Sequence, residues 1–308
     1  MKQKSSLIRV FLLFFVVASF FVGCGSKPSD TTSLPDTKRI TNHTFLQTEA
    51  AGTTVFENES VILDASNASH GYIMANYQGS SAESRLQITI PDKTVYTYVL
   101  SPGNYETIPL TGANGDYQIN ILEHVSDDMY ALVFSENISV TLDNDFSPYL
   151  YPNQYVWYTP ESPTTDLGIV LSDESANDLD YLEKVYHYVI TNISYDTNLA
   201  QNIPLNYIPD TDSVLEKKSG ICFDYASLMC ALLRSQNIPT KLVVGYSGTA
   251  YHAWISVYLQ ETGWVDNIIQ FDGEHWSLMD PTLAASNDQK DVEKYIGDGS
   301  NYLAKYYY

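Results

Sequence analysis

The stretch Ser219-Gly220-Ile221-Cys222-Phe223-Asp224-Tyr225-Ala226 decides how the second half of this chain folds. Its small residues make a turn. From Tyr225 onward apolar side chains recur at helical spacing, at Ala226, Leu228, Met229, Leu232 and Leu233. The helix ends at Asn237-Ile238-Pro239, because a proline pushes the residue before it out of the α region. Cys222 then falls in the first helical turn, where unpaired backbone N–H groups and the macrodipole favour a thiolate. Downstream come His252, in Tyr251-His252-Ala253-Trp254-Ile255, and Asp280, in Met279-Asp280-Pro281-Thr282. Cysteine, histidine and aspartate are the parts of an activated thiol: nucleophile, base, and a carboxylate that fixes the base's tautomer. In the strand pattern after Tyr251, Ala253, Ile255 and Val257 share one face, which suits a core. His252, Trp254 and Ser256 share the other, which aims His252 toward the neighbouring helix start.

The start of the chain reads as a targeting segment. Lys2, Lys4 and Arg9 precede an almost wholly apolar run from Val10 to Val22, of signal-peptide rather than membrane-spanning length. The run ends in Phe21-Val22-Gly23-Cys24, which resembles a bacterial lipobox with phenylalanine where leucine is usual. The resemblance implies cleavage before Cys24, lipidation of its thiol, and attachment to the cell membrane on its extracytoplasmic side. Ordinary secretion with an incidental cysteine is the other reading. Gly25 to about Lys38 is rich in Ser, Thr, Pro and Asp and reads as a flexible tether.

The formal net charge of −21 over 308 residues argues against a nucleic-acid partner, and loss of the basic start makes the remainder more acidic still. With Cys24 acylated, Cys222 and Cys230 remain. Eight helical residues separate them by a rise of about 12 Å, beyond disulfide reach. Cys230, among apolar helix positions, reads as core. An exported protein that keeps an unpaired thiol at a helix start invites a functional explanation for it.

From about Thr41 to Leu142 short apolar or aromatic runs alternate with turn residues. Gly71 to Tyr77, Arg85 to Ile90, Thr94 to Leu100 and Tyr117 to Leu122 are strand-like, which predicts an all-β sandwich. His43, His70 and His124 are scattered there without metal-ligand spacing, so no metal or other cofactor is expected. The predicted organisation is a lipoprotein signal peptide (1–23), a tether (24–40), a β-sandwich (41–145), a connector rich in Pro, Tyr and Thr (146–174) and a catalytic domain (175–308). Within the last, a helix beginning near Ser175-Ala176-Asn177-Asp178 and a segment at Asp212–Glu216 precede Cys222. Strand-like runs at Thr240–Tyr246, Ala250–Leu259 and Trp276–Met279 follow it. Helices first and an antiparallel sheet afterwards make an α+β fold.

Gly220-Ile221-Cys222-Phe223-Asp224-Tyr225-Ala226, Tyr251-His252-Ala253-Trp254 and Trp276-Ser277-Leu278-Met279-Asp280-Pro281-Thr282 together resemble the bacterial transglutaminase-like superfamily. The helix ending in Ile193-Ser194-Tyr195-Asp196 is similar to that family's pattern too. The resemblance covers about residues 175–285. It implies a papain-like α+β core with Cys222 as nucleophile, His252 as base and Asp280 as orienter. It leaves the reaction open among cross-linking, peptidase and deamidase chemistry. The expected oxyanion donors are the Cys222 backbone N–H and a second group, for which Tyr195 and Gln201 are candidates. The expected substrate is a protein or peptidoglycan-linked peptide amide, attacked to give a thioester. The alternative is a surface binding or structural protein that keeps the fold without the activity. A cell-wall endopeptidase with another polar residue in the third position is disfavoured by Asp280-Pro281-Thr282.

Several other residues read as structural. Asp224 is explained by the helix dipole, and His187 and His275 read as surface residues. Trp254 and Trp276 fit either a cleft or the core, and Tyr306-Tyr307-Tyr308 reads as a closing strand.

Overall fold

The computed structural model describes residues 38–260, 262–266 and 300–308, with the backbone alone at 269–271 and 276–278. The targeting segment with Cys24, and Asp280 and His275, lie outside the described residues.

Eight strands come first: β1 (Val55–Glu57), β2 (Val61–Asp64), β3 (Tyr72–Tyr77), β4 (Ser84–Thr89), β5 (Val95–Leu100), β6 (Tyr105–Pro109), β7 (Gly115–Ser126) and β8 (Met129–Val140). They form two four-stranded antiparallel sheets, ordered β1-β2-β3-β6 and β5-β4-β7-β8. Alternation decides which side of each strand is buried. In β4, Leu86 and Ile88 point inward while Arg85 and Gln87 lie nearer the surface. β3 breaks the rule, since all six of its residues are buried. The four strand-like runs expected from the sequence appear as β3, β4, β5 and β7. The sequence did not single out β1, β2 or β6, or the long β7–β8 hairpin.

The stretch read as a connector is packed and partly helical. Gln154 behaves as a piece of backbone: its amide donates to the Val99 carbonyl (2.6 Å) and accepts from the Val99 N–H (3.2 Å), extending β5 sideways. Ser227 donates to the Tyr155 carbonyl at 2.5 Å, fastening the same stretch to the helix that follows. Residues Pro163–Asp173 form α1, with proline at the first helical position, where its missing N–H costs nothing.

The remaining elements are α2 (Asp178–Asn192), β9 (Ser194–Tyr195), α3 (Thr197–Gln201), α4 (Thr211–Lys217), β10 (Ser219–Gly220), α5 (Cys222–Ser235), β11 (Thr240–Ser247), β12 (Ala250–Leu259), β13 (Gly263–Asp266), β14 (Ile269–Phe271), β15 (Trp276–Leu278) and β16 (Tyr302–Tyr307). α2 starts where the sequence placed it, with the Asn177 side chain accepting from the Asp180 N–H at 3.0 Å. α5 is almost entirely buried and packs on α1, α2, β11 and β12. Beneath it lies an antiparallel sheet ordered β13-β12-β11-β16, so the aromatic tail is the strand beside β11.

A single buried cluster runs from Val61 through α5 to Tyr308. Aromatic rings carry it from the first sheets to the helix. Tyr98 of β5 stacks on Tyr155 (5.5 Å), and Tyr155 meets Phe223 (5.4 Å) and Tyr308 (4.7 Å). Thr37–Tyr308 is accordingly one compact unit. Its first residues lie on the helices. Arg39 pairs with Asp178, donates to Ser172 Oγ (3.0 Å) and to the Gln236 carbonyl (2.6 Å), and covers the Tyr181 ring at 4.6 Å. Among the described residues no helix is long and apolar enough to cross a membrane.

Candidate active site at the start of helix α5

Cys222 is the first residue of α5 and is half-buried. Ile221, extended at φ −102° and ψ 179°, occupies the cap position and has no side-chain acceptor to offer. The first N–H groups of the helix are therefore left without the usual capping oxygen.

Asp224, two residues on, is fully buried. Its Oδ2 accepts from the Ile221 N–H at 2.8 Å and its Oδ1 from the Tyr207 hydroxyl at 2.7 Å. Burial raises the Asp224 carboxyl above the ordinary aspartate range and Asp196 adds to that. The Ile221 N–H, the Tyr207 hydroxyl and Lys217 pull it back down. Tyr207 is raised in turn by burial and by the same hydrogen bond, so it remains the donor. The helix dipole alone thus understates Asp224, which ties the turn before α5 to the loop between α3 and α4.

Gly220 makes that contact possible. A Cβ there would stand 2.6 Å from Asp224 Cβ and 2.9 Å from Oδ2. Gly220 also belongs to the short parallel pair β9–β10, opposite Tyr195, and its carbonyl accepts from the Asp196 N–H at 2.9 Å. This pairing sets Tyr195 beside the turn that leads into Cys222. Gln201, the other candidate, closes α3 and is exposed. Among the described residues its side chain makes no hydrogen bond.

β12 brings the histidine segment to the helix on which Cys222 stands. Tyr251, 61% exposed, is close enough to Cys222 for the two to interact electrostatically. Burial of its hydroxyl raises the Tyr251 pKa, with smaller contributions from Tyr306, Tyr246 and Cys222. His252, next in the strand, is half-buried, with its ring 6.3 Å from that of Trp254 and 6.3 Å from that of Tyr302. Trp254 is buried and meets Tyr302 edge-on at 5.2 Å. Of the two readings its sequence allowed, core packing is the one seen. His187 is exposed, as expected. Asp280 and Trp276's side chain lie outside the described residues.

Cys230 contrasts with Cys222. It is wholly buried in the middle of α5, and desolvation pushes its thiol up to about 12.

The sequence did not single out Tyr207, Tyr251 or Tyr302 as part of the site. Tyr251 adjoins His252 and was recoverable from the strand reading. Tyr207 lies in a loop with no periodicity and Tyr302 fifty residues beyond His252, so only tertiary packing brings them in.

Residues 169–267 match the family model described as transglutaminase-like superfamily. The uncharacterized protein YebA of Bacillus subtilis strain 168 is 30% identical over 139 residues, covering 38% of this chain and 19% of that protein. A protein-glutamine gamma-glutamyltransferase of Pseudomonas aeruginosa is 28% identical over 109 residues, covering 30% of this chain and 14% of that one. The chain therefore spans less than a fifth of the length of either relative. Among solved structures, red sea bream transglutaminase is similar at 14% identity and a TM-score of 0.32, covering 70% of this chain and 48% of that one.

Proposed function

With a transglutaminase-like domain as the premise, we propose that this chain is a surface-anchored thiol enzyme acting on protein or peptidoglycan-linked peptide amides. The observation that carries this reading is the position of Cys222: half-buried, first in a helix whose opening N–H groups lack a capping side chain. Such an end offers N–H donors to a developing oxyanion. Support comes from the family match around Cys222 and from β12, which carries His252 on the strand packed against α5.

In the proposed reaction the Cys222 thiolate attacks the amide carbonyl carbon and a C–S bond forms. The Cys222 N–H is the first proposed oxyanion donor, and Tyr195, opposite Gly220 in the preceding turn, is the favoured second over Gln201. As the C–N bond breaks, the His252 imidazolium gives its proton to the departing amine, leaving a thioester. His252 then takes a proton from water or from an acceptor amine, which displaces the thiolate. Asp280 is proposed to hold the far imidazole nitrogen. Hydrolysis is the favoured outcome, since nothing in the sequence guarantees the exclusion of water that transfer to an amine requires.

The test is alkylation by iodoacetamide near neutral pH. Cys222 is expected to react at least about tenfold faster than an ordinary free thiol, and His252→Ala is expected to remove the advantage. Cys230 should stay unlabelled, because at neutral pH a thiol held at about 12 is protonated. A Cys222 rate no faster than free cysteine, unmoved by His252→Ala, would end the enzyme reading. Capture of an acyl-enzyme from cell-wall and surface-protein extracts, wild type against Cys222→Ala, would identify the substrate.

Anchoring through Cys24 and the role of the N-terminal sheets as an auxiliary β-sandwich module belong to the same proposal. Cys24→Ser should shift the protein from the membrane fraction to the soluble fraction of its cells. Equal membrane recovery of both forms would refute the anchor.

A further inference from the structure

Three segments distant in sequence meet at one buried carboxylate. The Ile221 N–H comes from the turn before the helix, the Tyr207 hydroxyl from the loop after α3, and Asp224 itself from the first turn of α5. Gly220 closes over the Asp224 side chain with no room for a Cβ. A carboxylate wholly out of water, bonded to neutral donors, is an expensive way to end a helix. A serine or aspartate at the cap position itself would serve the helix better. Instead the cap is an isoleucine, and the carboxylate reaches back from the third helical position.

We propose that Asp224 and Tyr207 are a positioning pair for Cys222, holding the turn so that the first N–H groups of α5 face the reacting carbonyl. The inference rests on the thiol-enzyme reading above. Neither residue touches the substrate. Tyr207 keeps the carboxylate ionised and oriented, and the ionised carboxylate keeps the Ile221 N–H, and with it the Cys222 backbone, in place. Among the described residues, the other charged groups acting on this carboxylate are Asp196, the cap residue of α3, which opposes its ionisation, and Lys217 in the last turn of α4, which favours it. The thiol of Cys222 lies in the same helical turn.

The sign of the pH effect follows. Burial raises the Asp224 pKa and the Tyr207 hydrogen bond lowers it, so removing the hydroxyl raises it further. The carboxylate then takes up its proton at a higher pH and lets go of the turn sooner as pH falls.

The test compares two reactions of one thiol in the full chain. Iodoacetamide reports the thiolate alone. p-Nitrophenyl acetate reports acylation: the C–S bond forms, the ester C–O bond breaks, p-nitrophenolate leaves, and the intermediate's oxyanion must be met by donors. Tyr207→Phe is expected to leave alkylation within about twofold of wild type while acylation falls about tenfold, as misplaced groups cost rate without costing the nucleophile. The acid limb of its acylation profile should move to higher pH. Asp224→Asn keeps an acceptor for the Ile221 N–H and has no proton to lose there, so adding Tyr207→Phe to it should produce no such movement.

Unchanged acylation in Tyr207→Phe, or alkylation and acylation falling by one factor with the limb unmoved, would overturn the pair. Failure of the enzyme reading shows separately, as wild-type acylation no faster than that of Cys222→Ala.

Discussion

Arg234→Met is expected to lower stability by about 3–5 kcal/mol, the range for breaking a buried charged network. Arg234 lies in the last turn of α5 and is 1% exposed. Its guanidinium donates to three main-chain oxygens: Thr240 at 2.8 Å, Tyr151 at 2.9 Å and Tyr308 at 2.6 Å. Each belongs to a different part of the unit: the start of β11, the stretch between the first sheets and α1, and the residue following β16. Methionine matches much of the volume and none of the donors. The three oxygens would be left in a dry interior, at about 1–3 kcal/mol each before relaxation, and the removed desolvation of the charge offsets part of that. Urea unfolding should show a lower midpoint, and the thermal midpoint should fall by about 10 °C. Lysine at this site offers one head where the guanidinium offers a planar fork, so Arg234→Lys should recover only a fraction. A methionine variant as stable as wild type would show that these bonds contribute nothing net.

Gly220→Ala is expected to reduce acylation of Cys222 by about 100-fold, the scale set by displacing a reacting group by an ångström. The added Cβ would sit 2.6 Å from Asp224 Cβ, an atom next to the backbone that no rotamer change can withdraw. Either the turn carrying Ile221 moves or the first turn of α5 does. Both carry the Cys222 backbone with them, and the β9–β10 pairing that sets Tyr195 opposite Gly220 is stretched as well. Overpacking of this kind should also cost about 1–3 kcal/mol of stability. The loss of acylation should exceed what the unfolded fraction explains, which circular dichroism at the assay temperature can check. A variant that folds and acylates like wild type would mean the turn tolerates the shift.

α2 and α5 were legible because each carries its own punctuation, whereas the short α3 was not. Asn177 caps α2, and Pro239 stands just past α5. The apolar positions of α5 repeat with the period of the face it buries. β11 and β12 were legible as apolar and aromatic runs between turn residues. Ala253 through Val257 are all buried, however, so β12 has no single core face: α5 covers one side and other parts of the unit the other. α1 was not legible. Its segment begins with Ser162-Pro163 and contains Thr164, Thr165 and Ser172, all buried here, so its inward face is largely polar and shows no apolar stripe. Thr165 satisfies its hydroxyl locally, on the Ser162 carbonyl, while Thr164 donates to Asp212, a bond that exists only once α4 lies alongside.

The candidate site divides in the same way. Cys222 and His252 announce themselves by residue type, by their place at a helix start and in a strand, and by motif. Asp224 was visible as an acidic residue in a first turn, and that local explanation was sufficient for the sequence. What it omitted was burial. Whether a carboxylate is solvated or sealed depends on Tyr207 and Gly220 closing over it, and the folded chain brings Tyr207 from a loop 17 residues away. Arg234 is the same lesson in a cation. A basic residue in a last helical turn reads as an exposed partner of the dipole, and here it is a buried clamp for three separate segments of the chain.

Local order along the chain was therefore determined by the sequence itself: where α2 and α5 begin and end, which strands alternate, and which thiol stands at a helix start. These depend on neighbours within one or two turns, whose spacing is written in the residues. The tertiary structure alone decided which polar groups lose their water. It buried Asp224 and Arg234, joined the first sheets to α5 through Tyr98, Tyr155 and Phe223, and set Tyr195 opposite Gly220 in the turn before Cys222. Desolvation is a property of what closes over a group, and those atoms come from segments far apart in the chain.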